Sequence, residues 1–275
     1  MTLQPVLVRR PRAALRPESA DDGGSAPVLV AVAHGSRDPR SAATVAALAD
    51  EVRRQRPGLD VRVSFLDLSA PRLPDVLAGV AAEGHRAAVV VPLLLAHAFH
   101  ARVDVPGEVA RAARRHPQLH IATAGVLGGS PLLEAAALDR LTAVAGPLDD
   151  PGLGVVLAAI GSSHAPANAA VAQVADGWLR RFGWAGATAA FATATEPTVP
   201  QAIAALRRQG AQRVAVAQWI LAPGLLPDAI ARSAHAAGPD VLLAGPLAAH
   251  PAVATLIAER YASTLDTPVA SRAAG

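Results

Sequence analysis

The sequence predicts an α/β protein of two similar domains, each a mostly parallel sheet flanked by helices, with a cleft between them. Short apolar runs, rich in β-branched residues, alternate with amphipathic stretches, a rhythm typical of βα units. Runs such as Val89–Val91 are apolar throughout, which favours a sheet covered on both faces. The rhythm stops at residues 145–152, a segment of turn formers and acids, and then starts again. That segment is the predicted domain boundary.

The elements follow from this alternation, apolar runs as strands and amphipathic stretches as helices. The predicted strands are Val28–Ala33, Val61–Leu66, Ala87–Leu95 and His120–Ala124 in the first half, and Gly154–Ile160, Thr188–Thr193, Arg213–Leu221 and Val241–Ala244 in the second. The predicted helices are Ser41–Arg56, Leu73–Ala82, Asp104–Arg115 and Pro131–Val144, then Pro166–Arg181, Val199–Gln209, Pro227–Ala237 and Ala252–Ala262.

The composition is that of a globular protein large enough for a sizeable core. The 275 residues are 52% hydrophobic and 17% charged, and none is cysteine. Disulfide scaffolds, cysteine zinc sites and thiol catalysis are therefore excluded, so His, Asp or Glu would have to hold any metal.

Charge and hydropathy exclude two classes of partner. The pI of 10.7 reflects the high pKa of arginine, since every basic residue is Arg, and the net charge is only +3. Acids are spread among the arginines, so no nucleic-acid partner is expected. No apolar run is long enough to span a membrane. Residues 1–26 lack the apolar core of a secretory signal and are expected to be a disordered extension of a cytoplasmic protein.

The amino-acid sequences of the two halves align with each other. Phe65–Pro71 aligns with Phe191–Pro197, and the register then holds without a gap. A slip of one residue brings Ala33–Pro39 over Ile160–Pro166 as well. The chain is therefore predicted to be a tandem duplication of one α/β domain. The expected domains are residues 27–147 and 152–262, followed by a tail at 263–275.

A duplication provides an internal control, because residues present in only one half are candidates for chemistry. The first half carries at its strand ends His34, Asp67, His97 and His100, where the aligned second half has Gly161, Thr193, Pro223 and Leu226. Carboxyl ends of parallel strands converge on the ligand-binding edge of an α/β sheet. Two imidazoles and a carboxylate, from His34, His100 and Asp67, suit Fe, Co, Ni or Zn and leave positions open for a substrate. The alternative is that these residues have no shared role and are polar only because they lie in loops at strand ends, where polar side chains are common.

The first loops of the two halves indicate anion binding. Gly35, Ser36 and Arg37 offer backbone N–H groups, a hydroxyl and a guanidinium near a helix start. No phosphate-binding Gly-Lys-Ser/Thr loop and no dinucleotide fingerprint is present, so ATP use is not expected. In the second half, Ser162 and Ser163 are expected to hydrogen-bond an anion or a side chain, with His164 facing the shared cleft.

The role of His97 is left open. It is a third ligand of the metal ion, a residue that contacts a metal ligand, or a surface residue.

At these residues the sequence resembles the sirohydrochlorin chelatases, the ATP-independent class II tetrapyrrole chelatases, in their two-lobed form. The resemblance is carried by Val30–Arg37, by Phe65–Asp67 followed by Pro71, and by Val91–Pro106. It implies two chelatase-like domains, with a metal-binding first half and a degenerate second half.

The resemblance also implies roles for single residues. His34 and His100 would bind the metal, and Asp67, where the family commonly has Glu, would act as ligand or base. These three would be the catalytic residues. Partners for the substrate are implied at Ser36, Arg37, Phe99, Arg102, Ser162, Ser163 and His164.

The implied reaction inserts Fe²⁺ or Co²⁺ into sirohydrochlorin, for sirohaem or cobalamin biosynthesis, with no cofactor beyond the metal substrate. Neutral imidazoles can hold the ion and accept the pyrrole protons. One alternative is a non-catalytic metal-binding or metal-delivery protein, and another is a phosphate-handling enzyme that uses Gly35–Arg37. The physiological metal stays open, and a monomer is expected because one duplicated chain can form the whole cleft.

Overall fold

The computed structural model describes residues 26–95 and 104–266, in which strands and helices alternate. The first lobe, residues 26–145, contains β1 (Val28–Ala33), α1 (Pro39–Gln55), β2 (Val61–Phe65), α2 (Leu73–Ala82), β3 (Ala87–Pro92), α3 (Val105–Arg115), β4 (His120–Thr123) and α4 (Pro131–Ala145). The second lobe, residues 153–266, contains β5 (Leu153–Ala159), α5 (Ala165–Phe182), β6 (Gly186–Phe191), α6 (Val199–Arg208), β7 (Arg213–Gln218), α7 (Leu225–Ala237), β8 (Leu242–Leu243) and α8 (Pro251–Leu265). The predicted alternation is confirmed.

Two predicted strands end three residues earlier than expected. β3 ends at Pro92 and β7 at Gln218, whereas the apolar runs continue to Leu95 and Leu221. In β3, the last residue is a proline, which has no N–H to extend a ladder. After the two strands, Leu93 and Trp219 still donate to carbonyls of the central strands, at Val32 (2.8 Å) and Ala158 (2.7 Å). The apolar residues that follow leave the sheets and line the space between the lobes.

Each lobe is built on a four-stranded, all-parallel sheet. The strand orders are β2-β1-β3-β4 and β6-β5-β7-β8, so the two lobes share one topology. Every residue of β1 and β5 is buried, as expected for central strands covered on both faces. One face of the first sheet packs against α2 and α3, and one face of the second packs against α6 and α7.

The inner faces of both sheets share one core with α1, α4, α5 and α8. The last helix of each lobe packs against the sheet of the other lobe: α4 contacts β7 and β8, and α8 contacts β3. Leu141 and Leu256, from these two helices, are fully buried in this core. The exchange of helices makes each sheet dependent on the other half of the chain for its cover.

Polar contacts also tie α8 to the first lobe. The Tyr261 hydroxyl donates to the Pro27 carbonyl (2.7 Å), and Arg260 Nε donates to the Val126 carbonyl (2.9 Å). The helix continues to Leu265, past residue 263, where the tail was expected to begin. The hydroxyl of Thr264 donates to the Arg260 carbonyl (2.7 Å), one turn earlier in the helix.

No helix in the part of the chain that the structure describes is long and apolar enough to cross a bilayer.

Tyr261 gives this interface a test by pH. Burial raises the pKa of its phenol above the ordinary value of 10.0. The protonated form therefore stabilises the fold fully below the unfolded-state pKa, and this contribution is lost as the pH rises through the folded-state pKa. The chain has one Tyr, no Cys and no Lys, so no other side chain titrates in this alkaline window.

We expect Tyr261→Phe to lower the free energy of unfolding at neutral pH by about 1 kcal/mol, because it removes the bond to Pro27. It should also flatten the loss of stability above about pH 10, measured by urea unfolding at a series of pH values. An equal alkaline loss in wild type and variant would contradict this assignment.

Candidate functional site

A cleft of about 1230 Å³ lies between the two lobes, at the carboxyl ends of their strands. Ligands bind at this edge of open α/β sheets, because loops leave neighbouring strands there. The first lobe contributes the loop after β1 and the residues after β3, and the second lobe contributes the loops after β5 and β7. The two lobes therefore present equivalent loops to one cleft, with different side chains.

The position of His34 is fixed by its backbone neighbours. His34 is half-buried at the cleft wall, and its carbonyl accepts the N–H of Asp67 (2.8 Å) at the end of β2. The next residue, Gly35, has φ +96°, and a Cβ there would lie 1.7 Å from the Asp67 carbonyl oxygen. Only glycine fits this approach, so it holds the imidazole beside the end of β2.

Ser69 holds the same loop through two hydrogen bonds to the backbone of Ser36. Its hydroxyl accepts the N–H of Ser36 (3.1 Å) and donates to the carbonyl of Ser36 (2.9 Å). The hydroxyl of Ser36 accepts the N–H of Asp38 (3.0 Å), whose carboxylate caps α1. The loop between β1 and α1 is therefore held at both of its ends.

The second lobe holds its loop with a different side chain. Asn168 Oδ1 accepts the N–H of Ser162 (2.9 Å), and Asn168 Nδ2 donates to the Ser162 carbonyl (2.7 Å). The hydroxyl of Ser162 accepts the N–H of His164 (3.1 Å), the residue before α5. Asn168 thus does for Ser162 what Ser69 does for Ser36. Neither set of hydrogen bonds could be predicted from the sequence, because neither Ser69 nor Asn168 stands in the loop that it holds.

The backbone corrects the predicted alignment of these loops. Gly161 has φ +92°, and a Cβ there would lie 2.1 Å from the Thr193 carbonyl oxygen, as Gly35 meets Asp67. Gly161 therefore corresponds to Gly35, and the counterpart of His34 is Ile160. The predicted slip, which set Gly161 opposite His34, is wrong. It brought the prolines at two helix starts into line, whereas the close approach of a glycine fixes the loop.

Asp67 lies beside the cleft, and its carboxylate is engaged elsewhere. The side chain is 57% exposed, and Oδ1 lies 3.1 Å from Nη1 of Arg72. A hydrogen bond from the Leu68 backbone, followed by the charges of Arg72 and His34, lowers the pKa of this carboxyl. Asp67 is therefore ionised at neutral pH and is a weak proton acceptor.

The predicted site residues divide into three groups. Those that line the cleft are His34, Ser36, Arg37, Ser162, Ser163 and His164. Asp67 stands at its edge and is not among the lining residues. Phe99, His100 and Arg102 lie outside the described residues, as does His97. Within residues 26–95 and 104–266, no group of three His, Asp or Glu side chains could hold a metal ion.

The cleft also has apolar walls that the sequence analysis did not predict. Four of the exposed large apolar side chains line it, with exposed fractions of 45, 39, 74 and 38%, namely Leu68, Ile160, Leu225 and Leu226. Trp219 lies deeper and is buried. Exposed apolar groups concentrated in one concave place mark a binding surface. The adjacent leucines at the start of α7 were the available signal in the sequence.

The model of the CbiX family matches residues 28–144 and again residues 154–264. The chain belongs to the CbiX family. The two matches fall on the two lobes, which confirms the predicted tandem duplication.

Relatives of known name cover the chain to different extents. The sirohydrochlorin ferrochelatase of Bacillus subtilis (strain 168) is 26% identical over 239 residues, which span 86% of this chain and 91% of the relative. The sirohydrochlorin cobaltochelatase of Methanosarcina acetivorans is 33% identical over 79 residues, 29% of this chain and 61% of that protein.

A solved structure has the same architecture. SirB from Bacillus subtilis with Fe³⁺ superposes with a TM-score of 0.75 at 24% identity, over 86% of this chain and 95% of SirB. This likeness shows the fold, and it confirms the predicted two-domain α/β architecture.

Gly35→Ala tests whether the close approach in the first loop holds the site together. Gly58 is a matched control, because its φ is +87° and a Cβ there would meet nothing within 4 Å. Gly58→Ala should cost about 1 to 2 kcal/mol from the backbone conformation alone. Gly35→Ala should cost at least about 2 kcal/mol more, because the added methyl must displace the Asp67 carbonyl.

Urea unfolding measures both losses, and calorimetric titration with Co²⁺ measures metal binding. We expect weaker Co²⁺ binding in Gly35→Ala and unchanged binding in Gly58→Ala. Equal losses of stability in the two variants would show that the contact with Asp67 is not a constraint.

Proposed function

We propose that this CbiX-family protein is a sirohydrochlorin chelatase, which inserts Fe²⁺ or Co²⁺ into sirohydrochlorin without ATP, for sirohaem or cobalamin biosynthesis. One observation carries the proposal: both lobes match the family, and their unlike loops line one cleft. The names of the relatives, sirohydrochlorin ferrochelatase and cobaltochelatase, support the reaction class.

The character of the cleft supports a tetrapyrrole substrate. Such a molecule is a flat ring with apolar faces and carboxylates along its edge. Ile160, Leu68 and Leu226 offer apolar contacts for the faces, and their burial under the ring would be favourable. The loops that begin at His34 and Ile160 offer polar groups for the edge.

We propose that the first lobe alone holds the metal, with His34 and His100 as ligands. Imidazole is a good ligand for Fe²⁺ and Co²⁺, and two such ligands leave coordination positions open for the pyrrole nitrogens. The counterpart of His34 in the second lobe is Ile160, which has no donor atom. The second lobe therefore does not compete for the ion at this position.

The pyrrole protons must leave as the metal enters the ring. We propose that the imidazoles of His34 and His100 accept them, because each loses its metal as the ring takes the ion. Asp67 is a poorer acceptor, since its pKa is lowered and Arg72 engages its carboxylate. Its charge beside His34 instead favours the approach of a divalent cation.

Both lobes would bind the substrate. The proposed partners of its carboxylates and ring are Ser36, Arg37, Phe99, Arg102, Ser162, Ser163 and His164. One chain supplies the loops of both lobes, so we propose that the protein acts as a monomer. We also propose that it is cytoplasmic and needs no cofactor besides its metal substrate.

Anaerobic absorbance with sirohydrochlorin and Fe²⁺ or Co²⁺, without nucleotide, tests the proposal. Wild type should insert metal well above the spontaneous rate. His34→Ala and His100→Ala should each lower kcat/KM at least about 100-fold, since each loses a ligand. His235→Ala is the matched control, because His235 is exposed in the last turn of α7, and it should keep wild-type activity.

A wild-type rate equal to the background would overturn the proposal. If the protein then still bound metal through His34 and His100, it would be a metal-binding or metal-delivery protein.

A further inference from the structure

Arg40 joins the two lobes beside the cleft. Its Nη2 lies 2.5 Å from Oδ2 of Asp38, in its own lobe, and 2.5 Å from Oδ2 of Asp228, in the other. Its Nη1 donates to Oδ1 of Asp228 (3.4 Å). Asp228 stands in the first turn of α7, so the guanidinium is held between a carboxylate from each lobe.

This ion pair stands at the edge of the proposed substrate site. Ser41, which follows Arg40, lines the cleft, and so do Leu225 and Leu226, which precede Asp228. A Cβ on Gly224 would lie 3.9 Å from Oγ of Ser36, so the loop after β1 abuts the start of α7. Arg40 and Asp228 do not line the cleft themselves and stand just outside its rim, where only a ligand that extends past Ser41 and Leu225 would reach them.

The ion pair is suited to exchange rather than to holding the fold. The side chain of Arg40 is 52% exposed and that of Asp228 is 38% exposed, and ion pairs in contact with water add little to stability. The duplication gives no counterpart, because Pro166 stands second in α5 where Arg40 stands second in α1. The lobes are joined by their common core in any case.

An exposed apolar side chain, Leu225, lies next to this ion pair. It is 74% exposed, more than any other large apolar side chain that lines the described part of the cleft. Because it lies three residues before Asp228, it stands one helical turn from the ion pair of Asp228 with Arg40. A ligand that covers Leu225 and also carries carboxylates would meet Arg40. A tetrapyrrole with acidic side chains fits both demands.

We propose that Asp228 is a built-in competitor for the substrate: it holds the Arg40 guanidinium until a carboxylate of the tetrapyrrole takes its place. This inference rests on the proposed function. In the exchange, Arg40 gives up its bonds to Asp228 and forms the same bonds to the incoming carboxylate, and no proton moves. Asp38 keeps its bidentate hold on Arg40 and so keeps the guanidinium in place. The released Asp228 carboxylate is solvated.

The exchange predicts opposite effects for the two partners. Asp228→Asn removes the competitor and one negative charge from the path of an anionic substrate, so binding should tighten. Arg40→Gln removes the group that receives the substrate carboxylate, so binding should weaken. In the double variant, Asp228→Asn should no longer improve binding as it does beside Arg40.

Fluorescence titration with metal-free uroporphyrin, which bears an acetate and a propionate on each pyrrole, measures this binding apart from catalysis. We expect Kd to fall about three-fold in Asp228→Asn and to rise about five-fold in Arg40→Gln. Asp75→Asn is the matched control, because Asp75 is exposed in the first turn of α2 and does not line the cleft. Its Kd should equal that of wild type.

Weaker binding in both variants would mean that the ion pair is a clamp between lobes, and unchanged binding in both would mean that no carboxylate reaches Arg40. Either result overturns the exchange. Metal insertion by wild type separates the two proposals: without it the proposed function fails, whatever the titrations give. If wild type inserts metal but the variants do not shift Kd in opposite directions, only the exchange fails.

Discussion

Burial of the inner sheet faces against a common layer of four helices sets the relative position of the two lobes, and the cleft depends on that position. The last helix of each lobe covers the sheet of the other lobe, so the lobes cannot separate without exposing α4 and α8. Burying one large aliphatic side chain is worth about 1.5 to 3 kcal/mol, and this layer contains many of them. The carboxyl ends of both sheets are thereby brought to one cleft, and exposed contacts such as Arg40 with Asp228 are free to change.

The duplication separates what the scaffold requires from what the chemistry requires. Gly35 and Gly161 have the same conformation against the next strand in both lobes, so the backbone of the loop is a property of the fold. At the residue before each glycine, the first lobe has His34 and the second has Ile160. In the proposed function, this difference lets the first lobe hold the metal ion while both lobes enclose the tetrapyrrole that receives it.

Much of the fold could be predicted from the sequence, because buried parallel strands are apolar throughout and the helices between them are amphipathic. The repeat was visible in letters, but its register at the first loop was not, since the prolines at the helix starts suggested a slip that Gly35 and Gly161 forbid. Residues that act from outside a motif were also missed. Asn168 holds Ser162 from inside α5, and Asp228 reaches Arg40 only through the arrangement of the lobes.

The division of labour between the lobes is the central claim, and the direct test is to locate cobalt and macrocycle together. Crystals of the protein with Co²⁺ and sirohydrochlorin, measured at the cobalt absorption edge, give the position of the metal from its anomalous signal. We predict cobalt bonded to an imidazole nitrogen of His34, with the macrocycle between the loops that begin at His34 and Ile160. Cobalt held by His164, or a macrocycle bound outside the cleft, would contradict the account.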